Sequence, residues 1–152
     1  MIQERFIDEA VIALDQKGEH IEQSLMDNQD DFIIYLNEEI FKVFTEEETQ
    51  LLLFLVTVIH HAYFTQFGEI EPIDMDAFNA NDDNNWKLRE SFKNWNQAKD
   101  AFFEQTNQED ALAFVEDMLA EDGDDKIVVS DAVQEIIFIT AKSFIDTLTA
   151  KA

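Results

Sequence analysis

The sequence predicts an all-α fold: a single-domain bundle of about six helices, two of them central and apolar. Three observations lead there. Apolar residues recur at helical spacing along nearly the whole chain. Glycine, with three copies, and proline, with one, are too scarce for a turn-rich β architecture. Two long segments are apolar on almost every side, which marks helices with neighbours all round them. With 152 residues, 46% of them hydrophobic and fourteen of them Phe, there is material for one sizeable core.

The elements follow in order. Phe6, Ala10, Ala13 and Leu14 mark the inner face of a first helix, with Ile2 and Ile21 extending it. Gly18 ends that helix or weakens it, since a mid-helix glycine costs about 1 kcal/mol relative to alanine. Asn28 or Asp30 caps a second helix carrying Ile33, Leu36, Ile40 and Phe44. Thr45-Glu46-Glu47-Glu48 has capping-box spacing, with acids suited to the positive end of a helix dipole. Leu51 to Phe67 is then the first central helix, and Gly68 is a natural residue to follow it. The stretch 69–85 reads as irregular, apart from a short turn at Asp74 to Phe78, because it holds the lone proline and a run of Asn and Asp.

A stripe of Leu88, Phe92, Trp95 and Phe102 predicts a single helix beyond that stretch. One Trp left exposed there would mark a contact anchor. Asn107-Gln108-Glu109-Asp110 starts a fifth helix with Leu112, Val115, Met118 and Leu119 inward. Gly123 interrupts it, and Ile127-Val128-Val129 reads as a very short strand or extended linker. Ser130 or Asp131 caps the last helix, whose wide apolar face runs through Val133, Ile136, Ile137, Ile139, Phe144, Ile145 and Leu148.

The domain is 1–152. Its two halves, 1–68 and 86–152, look alike and are joined by 69–85. At an offset of 79 residues, Asn28, Gln29, Asp31 and Ala62 coincide with Asn107, Gln108, Asp110 and Ala141. A duplication would give two pseudo-symmetric three-helix halves, with a greasy helix from each at the centre.

Charge narrows the function classes. Ten basic residues against 34 acidic give a formal net charge of −24. Such a field opposes direct binding to nucleic-acid phosphates and to anionic membrane surfaces. There is no cysteine, hence no disulfide framework, thiolate site or cysteine nucleophile. The mixed-charge opening Met1-Ile2-Gln3-Glu4-Arg5 does not resemble a signal peptide, and the apolar run Leu51 to Ile59 falls short of the roughly 20 residues of a membrane span. The expected location is the cytoplasm.

No catalytic residue, metal ligand or cofactor motif stands out. His60 and His61 are adjacent, so they diverge on a helix and cannot chelate one ion as residues four apart would. Their plainer reading is one packed near Tyr63 or Phe64 and one at a helix edge; the sharper reading is a small helical enzyme with its site there. Ser24, Ser91, Ser130 and Ser143 fall at helix starts or on helix surfaces, without a nucleophile motif. Two segments, Ala120–Asp131 and Asn79–Glu90, partly match a calcium loop. Both lack the glycine that loop needs at its sixth position.

The unusual feature is the distribution of charge. No Lys or Arg occurs between Lys42 and Lys87, an interval holding Glu46, Glu47, Glu48, Glu69, Glu71, Asp74, Asp76, Asp82 and Asp83. Lys87, Arg89, Lys93 and Lys99 crowd the stretch that follows. The plainer reading is solvated loops, with the basic stretch neutralising its own domain. The sharper one is a non-enzymatic inhibitor or immunity-type protein that binds a basic protein partner through Glu69, Glu71, Asp74, Asp76, Asp82 and Asp83. A special case is a DNA mimic that blocks a nucleic-acid-binding protein. Homo-oligomerisation is compatible with the pattern.

Overall fold

The computed structural model describes residues 1–120 and 129–150, and among these every regular element is helical. Helix α1 spans Glu4–Asn28, α2 Asp30–Tyr35, α3 Glu46–Phe67, α4 Met75–Glu90, α5 Trp95–Gln105, α6 Glu109–Leu119 and α7 Asp131–Thr149. Helix α2 runs on through a π turn, Leu36–Ile40, and a 3₁₀ turn, Phe41–Val43. The fold is the expected all-α single-domain bundle. Helices α3 and α7 are its two central members: α1 lies along α3, α4 along α7, and α6 against both α1 and α7.

Local chemistry sets most boundaries. Thr45 Oγ1 accepts the Glu48 amide at 3.2 Å while Glu48 Oε1 accepts the Thr45 amide at 2.8 Å, completing the capping box that starts α3. Gly68, at φ 97°, ends α3 in a conformation that a side chain resists. Ser130 caps α7 through the Val133 amide. Although α3 is long and apolar enough to cross a membrane by length and composition, half of its most apolar window is buried in the bundle.

Several expectations need correction. Of the two readings of Gly18 the weakening one holds, since α1 does not stop there but continues past a kink at Lys17, whose φ of −138° and ψ of 35° are non-helical. Neither Asn28 nor Asp30 caps α2. Gln29 occupies that position with no side-chain cap, its amide being committed elsewhere. The inner face of α2 is also shifted: Phe32 is fully buried and Ile33 only partly so, since Phe32 stands one helical turn before the fully buried Leu36. Ser143 is buried rather than on a surface, because α4 covers that side of α7.

The largest correction is at 69–85, where only the stretch up to Asp74 is irregular. From Met75 the Asn- and Asp-rich run is helical despite its poor intrinsic propensity. Asp74 caps it by accepting the Asp76 amide at 2.9 Å, while Lys87 and Arg89 suit its negative end. Phe78 anchors it in the core. Its polar residues then meet α7 as a seam. Asn81 donates to Thr147 at 3.0 Å and Asn85 to Ser143 at 3.0 Å, while Ser143 Oγ lies 2.9 Å from Asp82 Oδ1. Tertiary hydrogen bonds thus override the local preference for a loop. The single helix expected after residue 85 is in turn broken at 91–94, where Arg89 donates to the Phe92 carbonyl at 3.2 Å and Asn94 caps α5.

Asn85→Ala should therefore cost about 1–3 kcal/mol in urea unfolding, since it strips a buried partner from Ser143 and Asp146. The exposed neighbour substitution Asn84→Ala should stay within about 0.5 kcal/mol. Equal effects from the two would contradict the seam.

The repeated Asn-Gln pairs have matching local structure. Gln29 (φ −117°, ψ 44°) and Gln108 (φ −120°, ψ 50°) each precede a helix without capping it. Each side chain instead holds a passing backbone. Gln108 Oε1 accepts the Ile2 amide at 2.9 Å, and Gln29 Oε1 accepts the Ile73 amide at 2.9 Å.

Candidate functional site

The acids singled out by the sequence do not form one face. Helix α3, at 22 residues, is about 33 Å long and separates Glu46, Glu47 and Glu48 from the others. Glu48 is buried in the capping box. At the far end of α3 the structure brings together Glu69 and Glu71 on the connecting segment with Asp74 and Asp76 at the start of α4, all four exposed. Asp83 is exposed two turns further along α4 on the side of Asp76, since seven residues make nearly two whole turns. Asp82 is corrected out of the surface set. It turns toward Ser143, and burial raises its carboxyl above the usual range, an effect partly offset by the Ser143 hydroxyl.

The connecting segment is held in place by α1 and by Gln29, the residue that follows it. Asn28 Nδ2 donates to the Ile70 carbonyl at 2.6 Å, Gln29 Nε2 donates to the Glu71 carbonyl at 3.1 Å, and the Ile73 amide donates to Gln29 Oε1. Gln29 itself is 1% exposed, so its side of these bonds is shielded from water. The backbone carrying Glu69 and Glu71 is thus presented in a fixed shape. Beside it, the last turns of α3 expose Phe64 and Phe67, at 49% and 44%. Neither Trp86 nor Trp95 is exposed, so the exposed aromatics beside the segment are those of α3.

Three of the basic residues pair with acids inside the fold. Lys87 and Arg89 lie on α4, Lys93 between helices and Lys99 on α5, so they do not share one helix. Arg89 pairs with Glu135, Lys99 with Glu116 at 3.1 Å, and Lys142 with Asp146 at 2.7 Å.

The connecting segment also divides two clefts. One, of about 390 Å³, lies between it and the C-terminal end of α7, with Tyr63, Asp74, Asn81 and Leu148 on its walls. The other, of about 370 Å³, lies between α1 and α3 and is lined by His20, Ser24, His60, His61, Phe64 and Glu69, with Asn28 at its base. All three histidines of the chain meet there, although His20 was not expected to belong with the other two. His60 is 7% exposed, and its Nε2 is 2.8 Å from Asn28 Oδ1. Asn28 Nδ2 donates to Ile70, so its Oδ1 is the acceptor and His60 Nε2 carries the proton. His61 stacks on Phe64 with ring centres 6.3 Å apart. The Ser24 hydroxyl donates to the His20 carbonyl at 3.0 Å and is not paired with an imidazole as a nucleophile would be.

Burial lowers the pKa of His60 to about 4, with a further push from His61, and burial lowers that of His61 too. As pH falls, the unfolded chain protonates this position first. The associated stability is complete above pH 6.5 and declines between 6.5 and about 4. It amounts to about 3 kcal/mol. Raised carboxyls such as Asp82 act with the opposite sign, so the comparison must be with His60→Gln, which keeps an amide donor for Asn28. Relative to that variant, the wild type should lose stability from pH 7 to 4.5. A gap independent of pH would contradict the neutral, buried His60.

Among the described residues no group of His, Asp and Glu is arranged to hold a metal ion. Asn79–Glu90 cannot wrap a calcium ion, because it lies on α4 and its alternate residues point around a helix. The other calcium-loop match, through Asp122, Asp124 and Ile127, lies outside the described residues, as do Gly123 and Val128. Comparison with protein-family models, curated proteins and solved structures gave no significant match to the chain.

Proposed function

We propose that the chain is a non-enzymatic interaction protein that docks a basic protein partner on the edge formed by the end of α3, the connecting segment and the first turn of α4. One observation carries this reading: four exposed acids on a backbone pinned from beneath lie beside two exposed phenylalanines. Aromatic anchors surrounded by charge are a frequent anatomy of protein interfaces. The acids steer a cationic surface into register, and the phenylalanines supply the apolar contact that retains it. A pre-formed edge loses little entropy on binding. An inhibitor or immunity-type protein, active by covering a positively charged site, fits this chemistry.

The test is capture from a lysate of the source organism at low salt, eluted by a salt ramp and read by mass spectrometry. The reading expects one basic protein at near-stoichiometric yield, released in a narrow salt interval. If that protein binds nucleic acid and the two compete for it, the edge acts as a phosphate mimic. A diffuse set of basic proteins eluting across the whole ramp would reduce the charge to a solubility device.

A further inference from the structure

We propose that the cavity between α1 and α3 is a binding site for a guanidinium group. The argument starts from His60. Its Nε2–H is committed to Asn28, so Nδ1 keeps a lone pair. That nitrogen has no partner among the described residues. Yet among the described residues no buried side-chain nitrogen or oxygen lacks one, so Nδ1 reaches open space. The cavity that His60 lines is that space. A side chain 93% removed from solvent by its 7% exposure thus offers a bare acceptor to a cavity of about 370 Å³, within the range of small-ligand pockets.

The remaining walls define what the acceptor takes. Glu69 supplies a carboxylate, and no Lys or Arg among the described residues lines the cavity. His61 and Phe64 both line the cavity, their rings stacked with centres 6.3 Å apart and 29° between planes, so it is bordered by aromatic side chains. Acceptors, negative charge and π faces without a Lys or Arg beside them suit a planar cation rich in N–H groups. Guanidinium stacks on such faces and donates to carboxylate and imidazole together. An ammonium has the charge but not the plane, and an anion would meet Glu69. Burial keeps His60 and His61 from adding positive charge of their own near neutral pH. An arginine of the basic partner is the source consistent with the docking edge, since Glu69 and Phe64 belong to both. That assignment of source rests on the proposed function, whereas the chemistry of the cavity does not.

The test titrates N-acetyl-arginine amide into the purified protein and follows the imidazole signals of His60 and His61 by NMR. A saturable shift of both is expected at millimolar ligand. N-acetyl-lysine amide should bind several-fold more weakly, and the uncharged glutamine analogue should have no effect. Glu69→Gln and Phe64→Ala, both at exposed positions that leave folding intact, should each weaken binding about tenfold. No saturable histidine shift would overturn the site, as would equal responses to arginine and lysine that neither variant alters. No partner is needed for this experiment, so it fails or succeeds independently of the docking edge. If the blocked arginine also displaces a captured partner, the ligand is that partner's side chain. Binding without displacement supports the site and assigns it to a free guanidino compound.

Discussion

Phe32→Ala should destabilise the protein by about 3–5 kcal/mol, a large part of the roughly 5–15 kcal/mol that holds a domain of this size together. Phe32 is fully buried and joins three helices at one point. Its ring stacks on Phe144 of α7 at 4.8 Å and 22°, and meets Phe78 of α4 edge-on at 5.1 Å and 65°. Tyr35 closes the group, 5.2 Å from Phe78. Truncation leaves a cavity whose walls come from separate helices and collapse only partly. It also removes the aromatic pairs, each worth about 0.5–1.5 kcal/mol beyond buried area. Urea unfolding at fixed salt should show a lower midpoint with an unchanged slope. Phe32→Leu, which refills most of the volume, should lose much less. A Phe32→Ala cost under about 1 kcal/mol would mean that α2 is not locked to α4 and α7 through this ring.

Reversing charge on the docking edge should weaken the captured partner's affinity by about 100-fold or more, close to 3 kcal/mol. The informative variant carries Glu69→Lys, Glu71→Lys and Asp76→Lys together. Asp74 is left in place because its carboxylate caps α4, and its removal would confuse binding with folding. The three positions are exposed, so the fold should survive, with self-repulsion at −24 slightly relieved. Reversal of Glu46 and Glu47, at the opposite end of α3, is the control. Beyond a Debye length of about 8–10 Å their effect should be small and vanish with added salt. Equal losses from the two variants would show that net charge, and not this edge, attracts the partner.

The pattern of apolar residues made the helices and the two central members legible, because burial at period 3.6 is written directly in side-chain type. Thr45, Gly68 and Ser130 were equally readable, since their roles are settled within a few residues of themselves. What could not be read depended on partners far along the chain. The Asn-rich run of α4 has loop propensity, and its contacts to Ser143 and Thr147, about sixty residues away, help to make it helical. For the same reason Asp82 looked like a surface acid until α7 was placed beside it. The candidate edge was partly visible in Glu69, Glu71, Asp74 and Asp76. Its aromatic anchors were hidden, because Phe64 and Phe67 continue an apolar helix and are exposed only where its neighbours run out. Asn28 and Gln29 read as a possible cap and as half of a repeat, yet two adjacent amides before a helix can also clamp a passing backbone. The convergence of His20 on His60 and His61 left no local mark at all.

The most direct measurement is hydrogen exchange on the complex with the captured basic protein, compared with the free chain peptide by peptide. The account predicts new protection concentrated in residues 62–77, covering the end of α3, the connecting segment and the first turn of α4. Protection confined to other surfaces, such as the exposed side of α1 or α6, with 62–77 unchanged, would contradict it.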